Sequence, residues 1–515
     1  MSHAADLGIV EAASALESRQ LSSEELVRSC LERITGRNDR FGAFIRVYEQ
    51  DALQSAREAD ARRASGSTGP LVGIPVALKD VIAVAGKPLT ADSAVLEGNI
   101  PRSDATVWAR LRAAGMVLVG HLHCGEFAYG HWGVNPWGAS ISPGGSSSGS
   151  GIALAARMVP AALGTDARGS IRMPAAFNGI TAVKPTFGAV STAGCIPITF
   201  SFDTVGPMAR SAADCAAVLA VIAGRDPRDR LTRSQPPVSS YELRPRSGVR
   251  PLRRVRIGFP ELTKRLSPGV SEVFDRFVDD FRRLGADCVP FEWPPSPLEQ
   301  SGDGGLGDWV HILGAEAAVI HEQFAGREHL YRDEFRRLFM PMMRAANAVD
   351  YVRAQVERTE LVSTWMSLFA DLRISGVLHP ACASEAYRAG EDVSPDVFKQ
   401  LMFGVWNDAN FPVVSLPAGL SSTDGSPVGM QLVGVPFSER SLLQTAVDIQ
   451  AGTEYHLACP SGLDDAPFYD SPPRRESGKQ PPFVSVPSPF DALLPEGSAA
   501  RRVPRAGLEE GRSQG

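Results

Sequence analysis

Apolar positions near the start of the chain recur at helical spacing. Leu26, Val27, Cys30, Leu31 and Ile34 mark one face, and Ser22 with Glu25 forms a capping box ahead of them. Next, "GAFIRVY" reads as a strand and "DALQSAREADARRA" as a helix closed by a Gly/Ser turn. Residues 72–84, "VGIPVALKDVIAV", read as a buried strand carrying one lysine. Residues 104–114 read as a helix capped by Asp104, followed by a second buried strand, "MVLVGHL". Further on, "RIGFPEL" predicts a strand, "VSEVFDRFVDDFRRLGA" a helix and residues 300–375 mainly helix. "FPVVSLPAG" and "PVGMQLVGVP" are the last clear strands. This alternation predicts the α/β class with a parallel or mixed sheet. No internal repeat of fixed period is present. Residues 225–255, rich in Pro, Arg and Ser, read as a long surface excursion, and little apolar periodicity survives beyond about Pro460.

The chain has 515 residues, 43% hydrophobic and 21% charged, which suits a soluble globular protein able to bury a core. A formal charge of −6 provides no basic field, so neither nucleic acid nor an anionic membrane is an expected partner. Seven cysteines are scattered without a C-x-x-C pair, which points to free thiols in a reducing compartment and away from a zinc site. "MSHAADLGIVEAA" lacks the basic start and apolar run of a secretory signal. The apolar stretch 151–164 is broken by Arg157 and Pro160 and falls short of the roughly 20 residues a bilayer requires. A cytoplasmic location is therefore expected.

Candidate chemistry begins at "PGGSSSGSG", residues 143–151, which runs directly into apolar sequence. A flexible tether would not be expected between two segments that read as core. A phosphate-cradling loop would need a lysine after the glycines, and none follows. "GSSSG" literally satisfies G-x-S-x-G, which would make Ser147 the nucleophile of an α/β-hydrolase-type esterase. However, "NPWGASISP" is a poor central strand to precede such an elbow, and the downstream His379 and His456 have no distinctive context. A second small-residue stretch, "GTDARGSIRMPAAFNG", sets Ser170 just before a proline-bearing helix start. Backbone N–H groups collect at such a place and can stabilise an oxyanion. A serine nucleophile also needs a base. No histidine lies near either stretch, but Lys79 can serve if burial lowers its pKa.

Four blocks, "GPLVGIPVALKDV", "GGSSSGSGIALAA", "GTDARGSIRMPAAFNGITAVKPTFGAVS" and "FDTVGPMARSAAD", resemble the amidase signature family in order and spacing. The resemblance runs from about residue 10 to 460 and is weakest between 225 and 375. It implies a single large α/β/α domain over 1–460, with a central mixed sheet covered by helices. Within it the signature core would span about 70–215 and a variable, substrate-determining region about 225–405. Residues 461–515 would be a proline-rich tail, disordered or draped. The resemblance further implies a Ser-cisSer-Lys triad: Lys79 as base, Ser146 as bridging serine after a cis Gly145–Ser146 peptide, and Ser170 as nucleophile. Ser170 would attack an amide carbonyl while the N–H groups of Ala167, Arg168, Gly169 and Ser170 hold the oxyanion, each donor being worth on the order of 3 kcal/mol. Ser146 would protonate the departing amine, and water would release a carboxylic acid. The expected partner is a small-molecule amide, with no metal or organic cofactor, and a homodimer is a candidate assembly.

The chain departs from the family where Arg168 replaces a glycine. Either Arg168 is strained at positive φ, by roughly 1–2 kcal/mol, or its guanidinium faces the pocket and binds a substrate carboxylate or carbonyl. Cys124 and Phe127, in "HLHCGEFAYG", match a block lining the acyl site and are expected pocket residues. Lys184 in "AVKPT" competes as a base, although the family uses that block structurally. His121 and His123 alternate along a strand with no further metal ligand at suitable spacing. Arg172 is expected to anchor the loop. Trp309, Phe324, Trp365 and Trp406 either shape an apolar pocket or fill the core. Two other classes are open: a glutaminase-type subunit of a tRNA-dependent amidotransferase, and a catalytically inactive binding relative. The second is disfavoured because all three triad positions are filled.

Overall fold

A helix forms where the capping box places it, over Ser23–Phe41, after a shorter one at Ile9–Glu17. The Ser22 Oγ accepts from the Glu25 N–H at 3.1 Å, and the Glu25 carboxylate accepts from the Ser22 N–H at 2.8 Å. The computed structural model to which this helix belongs describes residues 3–66, 69–234, 242–262, 266–296, 298, 307–389 and 400–464. Eleven strands among them form one sheet: β1 (Phe44–Val47), β2 (Pro75–Lys79), β3 (Val117–Leu122), β4 (Ala161–Asp166), β5 (Thr181–Lys184), β6 (Thr204–Ala209), β7 (Arg256–Pro260), β8 (Asp287–Phe291), β9 (Gly376–Pro380), β10 (Val413–Leu420) and β11 (Pro427–Val433). Their order is β1-β3-β2-β4-β6-β5-β10-β11-β9-β7-β8. The sheet is mixed: β2 lies parallel to β3 and β4, β7 lies parallel to β8 and β9, and the other pairs are antiparallel.

Every residue of β2, β3, β4 and β6 is buried. Successive side chains along a strand point to opposite faces, so Val76 and Leu78 enter one core while Ala77 enters another. Ile34 from the helix Ser23–Phe41 and Ile152 from the helix Ser148–Ala155 join the Ala77 core. Leu219 from Ala212–Ile222 and Leu443 from Glu439–Thr453 join the other. The sheet is thus covered by helices on both faces, the α/β/α arrangement expected from the sequence.

Several local expectations are corrected. The run "IALAARMVPAALG" is two elements: the helix stops at Ala155, Arg157 turns the chain at positive φ, and β4 starts at Ala161. The strand expected over 72–84 shortens to β2, since the N–H groups of Val81 and Ile82 fold back onto the Lys79 carbonyl. Asp104 does not cap the helix Thr106–Ala113. Its carboxylate accepts from the Ala85 N–H at 2.8 Å and pairs with Arg112. The expected helical region contains Trp309–His321, Asp333–Ala345 and Ala348–Asp371. Of the expected surface excursion, residues 242–250 are mostly exposed, whereas 235–241 and most of the tail, 465–515, lie outside the described residues. Among the described residues no helix is long and apolar enough to cross a membrane.

Candidate active site

Strands β2 and β4 are parallel neighbours, with Ala77 opposite Ala162 and Leu78 opposite Leu163. Their C-terminal ends therefore bring Lys79 beside Thr165 and Asp166. Lys79 is fully buried, and its Nζ donates to Ser146 Oγ at 2.8 Å and to Thr165 Oγ1 at 3.0 Å. Burial pulls its pKa down to about 8, against the opposing influence of Cys124 and the carboxylates of Asp166, Asp203 and Asp92. Ser146 follows a cis peptide bond from Gly145. Gly145 is the residue type this turn requires, because a Cβ there would collide with the Gly130 carbonyl oxygen. The next serine fastens the arrangement: the Ser147 N–H donates to the Ser170 carbonyl at 3.0 Å, tying the two serine-bearing loops together.

Ser170 lies between β4 and the helix Arg172–Asn178, in a loop organised by Asp166. The buried Asp166 carboxylate accepts from the Gly169 N–H at 2.7 Å, the Ile171 N–H at 3.1 Å and Asn407 Nδ2 at 2.9 Å. It also accepts from Arg172 Nε at 3.0 Å and Nη2 at 3.1 Å. Burial alone would raise the Asp166 pKa, but the Arg172 guanidinium outweighs it and holds the group well below the usual carboxylate range. Arg172 is itself fully buried and donates to the Phe403 carbonyl at 2.9 Å and to Gln431 Oε1 at 2.8 Å. It anchors the loop to β11 and to the segment around Phe403. Gly169 has φ of 109°, and a Cβ there would stand 2.7 Å from the Phe403 Cβ.

Ser146, Ser170, Ala167, Arg168 and Gly145 form the floor of a cavity of about 260 Å³. Its wall is apolar, built by Trp309, Leu313, Leu338, Phe339 and Met342. A buried amine hydrogen-bonded to one serine, with that serine and a second lining one cavity, is an arrangement able to pass a proton along a chain of hydroxyls. A family model described as Amidase matches residues 25–443.

The chain belongs to the amidase family. It is 39% identical over 473 residues to a glutamyl-tRNA(Gln) amidotransferase subunit of Anaeromyxobacter sp. (strain K), covering 85% of this chain and 95% of that one. The corresponding subunit of Cupriavidus necator is 37% identical over 493 residues, covering 87% and 97%. Among solved structures, the native peptide amidase of Stenotrophomonas maltophilia superposes with a TM-score of 0.75 at 30% identity, covering 87% of this chain and 97% of that one. The glutamyl-tRNA(Gln) amidotransferase subunit of Thermotoga maritima gives 0.71 at 27% identity, covering 87% and 95%. As an amidase-family enzyme, the chain belongs to a class acting on carbon–nitrogen bonds.

Other expected site residues of this amidase-family chain fall elsewhere. Ser147 is not an exposed elbow serine. It is fully buried, and its Oγ donates to the Thr165 carbonyl at 3.2 Å and accepts from the Thr165 N–H at 3.3 Å. Among the described residues no imidazole is hydrogen-bonded to it: His379 accepts from Trp406 Nε1 at 2.7 Å, donates from Nδ1 to the Pro380 carbonyl, and is held neutral by burial that lowers its pKa to about 3. Gly169 leaves the expected oxyanion set, because its N–H already donates to Asp166. Arg168 is not at positive φ. Its guanidinium donates to both oxygens of the fully buried Asp408 carboxylate, at 2.7 and 2.8 Å, and lies 4.0 Å over the Trp309 ring. A substrate carboxylate would have to compete with that pair.

Cys124 and Phe127 do not line the cavity. The Cys124 N–H is bonded to Asp92, and Phe127 packs in the core against His321 and Phe324. The next three residues, Ala128, Tyr129 and Gly130, line the cavity instead. Lys184 is as buried as Lys79 and its pKa is lowered to about 7 by desolvation and by Arg172, so a perturbed pKa alone does not select the base. Their surroundings differ: Lys184 Nζ donates to the Pro185 carbonyl, whereas Lys79 Nζ meets the Ser146 hydroxyl. His121 is bonded to Tyr48 and the Ile82 carbonyl, and His123 to Asp92. Of the four aromatic candidates only Trp309 reaches the cavity, while Phe324, Trp365 and Trp406 are core. Sequence reading missed Asp166, Asn407, Asp408 and Gln431. For Asp166 a signal existed: an acid ends the apolar run "AALGTD" directly before the serine loop.

Proposed function

We propose that the chain is an amidohydrolase that splits a linear amide into a carboxylic acid and an amine or ammonia through an acyl-enzyme on Ser170. The observation that carries this reading is the 2.8 Å contact from Lys79 Nζ to Ser146 Oγ beneath a cavity that also exposes Ser170. In the neutral amine this contact reverses, the nitrogen lone pair accepting the Ser146 proton while Ser146 accepts that of Ser170. Ser170 Oγ then attacks the carbonyl carbon. The Ala167, Arg168 and Ser170 N–H groups are the remaining candidates to receive the oxyanion, in a loop whose shape Asp166 and Arg172 already hold. Ser146 returns its proton to the leaving nitrogen, and water releases the acid by the same relay.

A panel of aryl and aliphatic primary amides tests this. Wild type is expected to release ammonia and to carry a substrate-derived mass adduct on Ser170. Turnover that survives in Ser170→Ala overturns the assignment. The relatives named as amidotransferase subunits favour a second reading, a glutaminase-type subunit serving a partner chain. Glutamine hydrolysis at rates matching the best simple amide, with co-purification of a partner, would favour that reading over a free-standing amidase.

A further inference from the structure

Among the described residues, the cavity above Ser170 has one charged lining residue besides Arg168 on its floor, namely Glu334. Glu334 stands in the first turn of the helix Asp333–Ala345, at the exposed rim. Its carboxylate lies against Gly130: a Cβ built on Gly130 would be 3.6 Å from Glu334 Oε1. The Gly130 carbonyl in turn abuts Gly145, next to Ser146. Cations on the same helix or beside it are engaged elsewhere. Arg336 pairs with Asp333, while Arg332 donates to the Asp92 carbonyl at 3.0 Å and lies over the Trp132 ring. No ion pair joins Glu334 to another of the described residues. The positive charge of Arg168 is matched by buried Asp408. Among the described residues the rim thus carries one negative charge without an ion-pair partner, over an otherwise apolar wall.

Resting on the proposed amidohydrolase reading, we infer that Glu334 is a specificity-determining residue that selects amides bearing a cationic group next to an apolar body. The apolar part packs on Leu313, Phe339 and Met342, and the cation meets the Glu334 carboxylate at the mouth, where it keeps part of its hydration. A carboxylate-bearing amide meets the same group as a like charge. Because the rim is solvated, the preference is modest, about fivefold, as for a half-exposed charge pair.

Two aryl amides of the same shape test this, one carrying a tert-butyl group and the other a trimethylammonium group, a permanent cation. The ratio of kcat/KM for the cationic over the neutral amide is expected at about five in wild type, near one in Glu334→Gln and below one in Glu334→Lys. Salt at about 1 M should bring the wild-type ratio toward one, because screening acts on exposed charges. A wild-type ratio of one, or a ratio that Glu334→Gln leaves unaltered, overturns this inference alone. Hydrolysis of neither amide by wild type overturns the amidohydrolase reading together with it.

Discussion

The floor and the wall of the cavity are built in opposite ways. On the floor, Asp166, Arg172, Asn407 and Gln431 are all buried and joined by hydrogen bonds that leave the intervening loop little freedom. The wall is carried by Trp309–His321 and Asp333–Ala345, where Leu338, Phe339 and Met342 are only partly buried and make non-directional contact. Directional bonds in a dry interior fix atoms to within a fraction of an ångström, whereas apolar packing fixes only volume and shape. The difference teaches that the proposed chemistry and its selectivity have separate physical origins and can be perturbed separately.

The largest test of that separation is Ser170→Ala, expected to lower kcat by about 10⁴-fold or more while the circular dichroism spectrum is unaltered. Next comes Asp166→Asn, which leaves the Arg172 guanidinium buried without its counter-charge. The expected loss is about 3–5 kcal/mol in urea-unfolding stability, because an uncompensated buried charge is costly. A loss below 1 kcal/mol would mean that the floor is not held by this pair.

The third test is the pH profile. In the proposed relay Lys79 is the base and acts only when neutral, and burial lowers its pKa to about 8. Thus kcat/KM should rise about tenfold per pH unit below that value and level off above it. A flat profile between pH 6 and 9 would remove Lys79 from the proton path. The smallest effect is expected on the wall, where Trp309→Leu should raise KM by about three- to tenfold and leave kcat nearly intact. Should that substitution instead depress kcat as strongly as Ser170→Ala, floor and wall would not be separable, and the route would run through Arg168 stacked on Trp309.

What could be read from the chain divides along the same line. β2 and β3 were visible because strands buried on both faces are mostly apolar runs, and the helix Ser23–Phe41 because its cap and stripe agree. β4 was hidden inside a longer apolar run, and β5 is only four residues long. Lys79, Ser146 and Ser170 stood out as motif residues. Asn407 and Gln431 could not, because they meet Arg172 across 235 and 259 residues of chain, a meeting set by the order of the strands and not by any local spacing. The misassignment of Cys124 and Phe127 has a conformational cause. Phe127 and Ala128 take positive φ, 49° and 61°, and this turn carries Ala128, Tyr129 and Gly130 to the cavity in place of Cys124 and Phe127.

Lys79 ends the third strand in from the β1 edge, and Asp166 ends the fourth. Exposing the amine to bulk solvent would mean parting two interior strands, an opening that costs nearly as much as melting the whole molecule. Fraying at β1 or at β8, by contrast, need not disturb it. Heat inactivation should therefore coincide with global melting, with no intermediate temperature at which the catalyst is impaired but still folded.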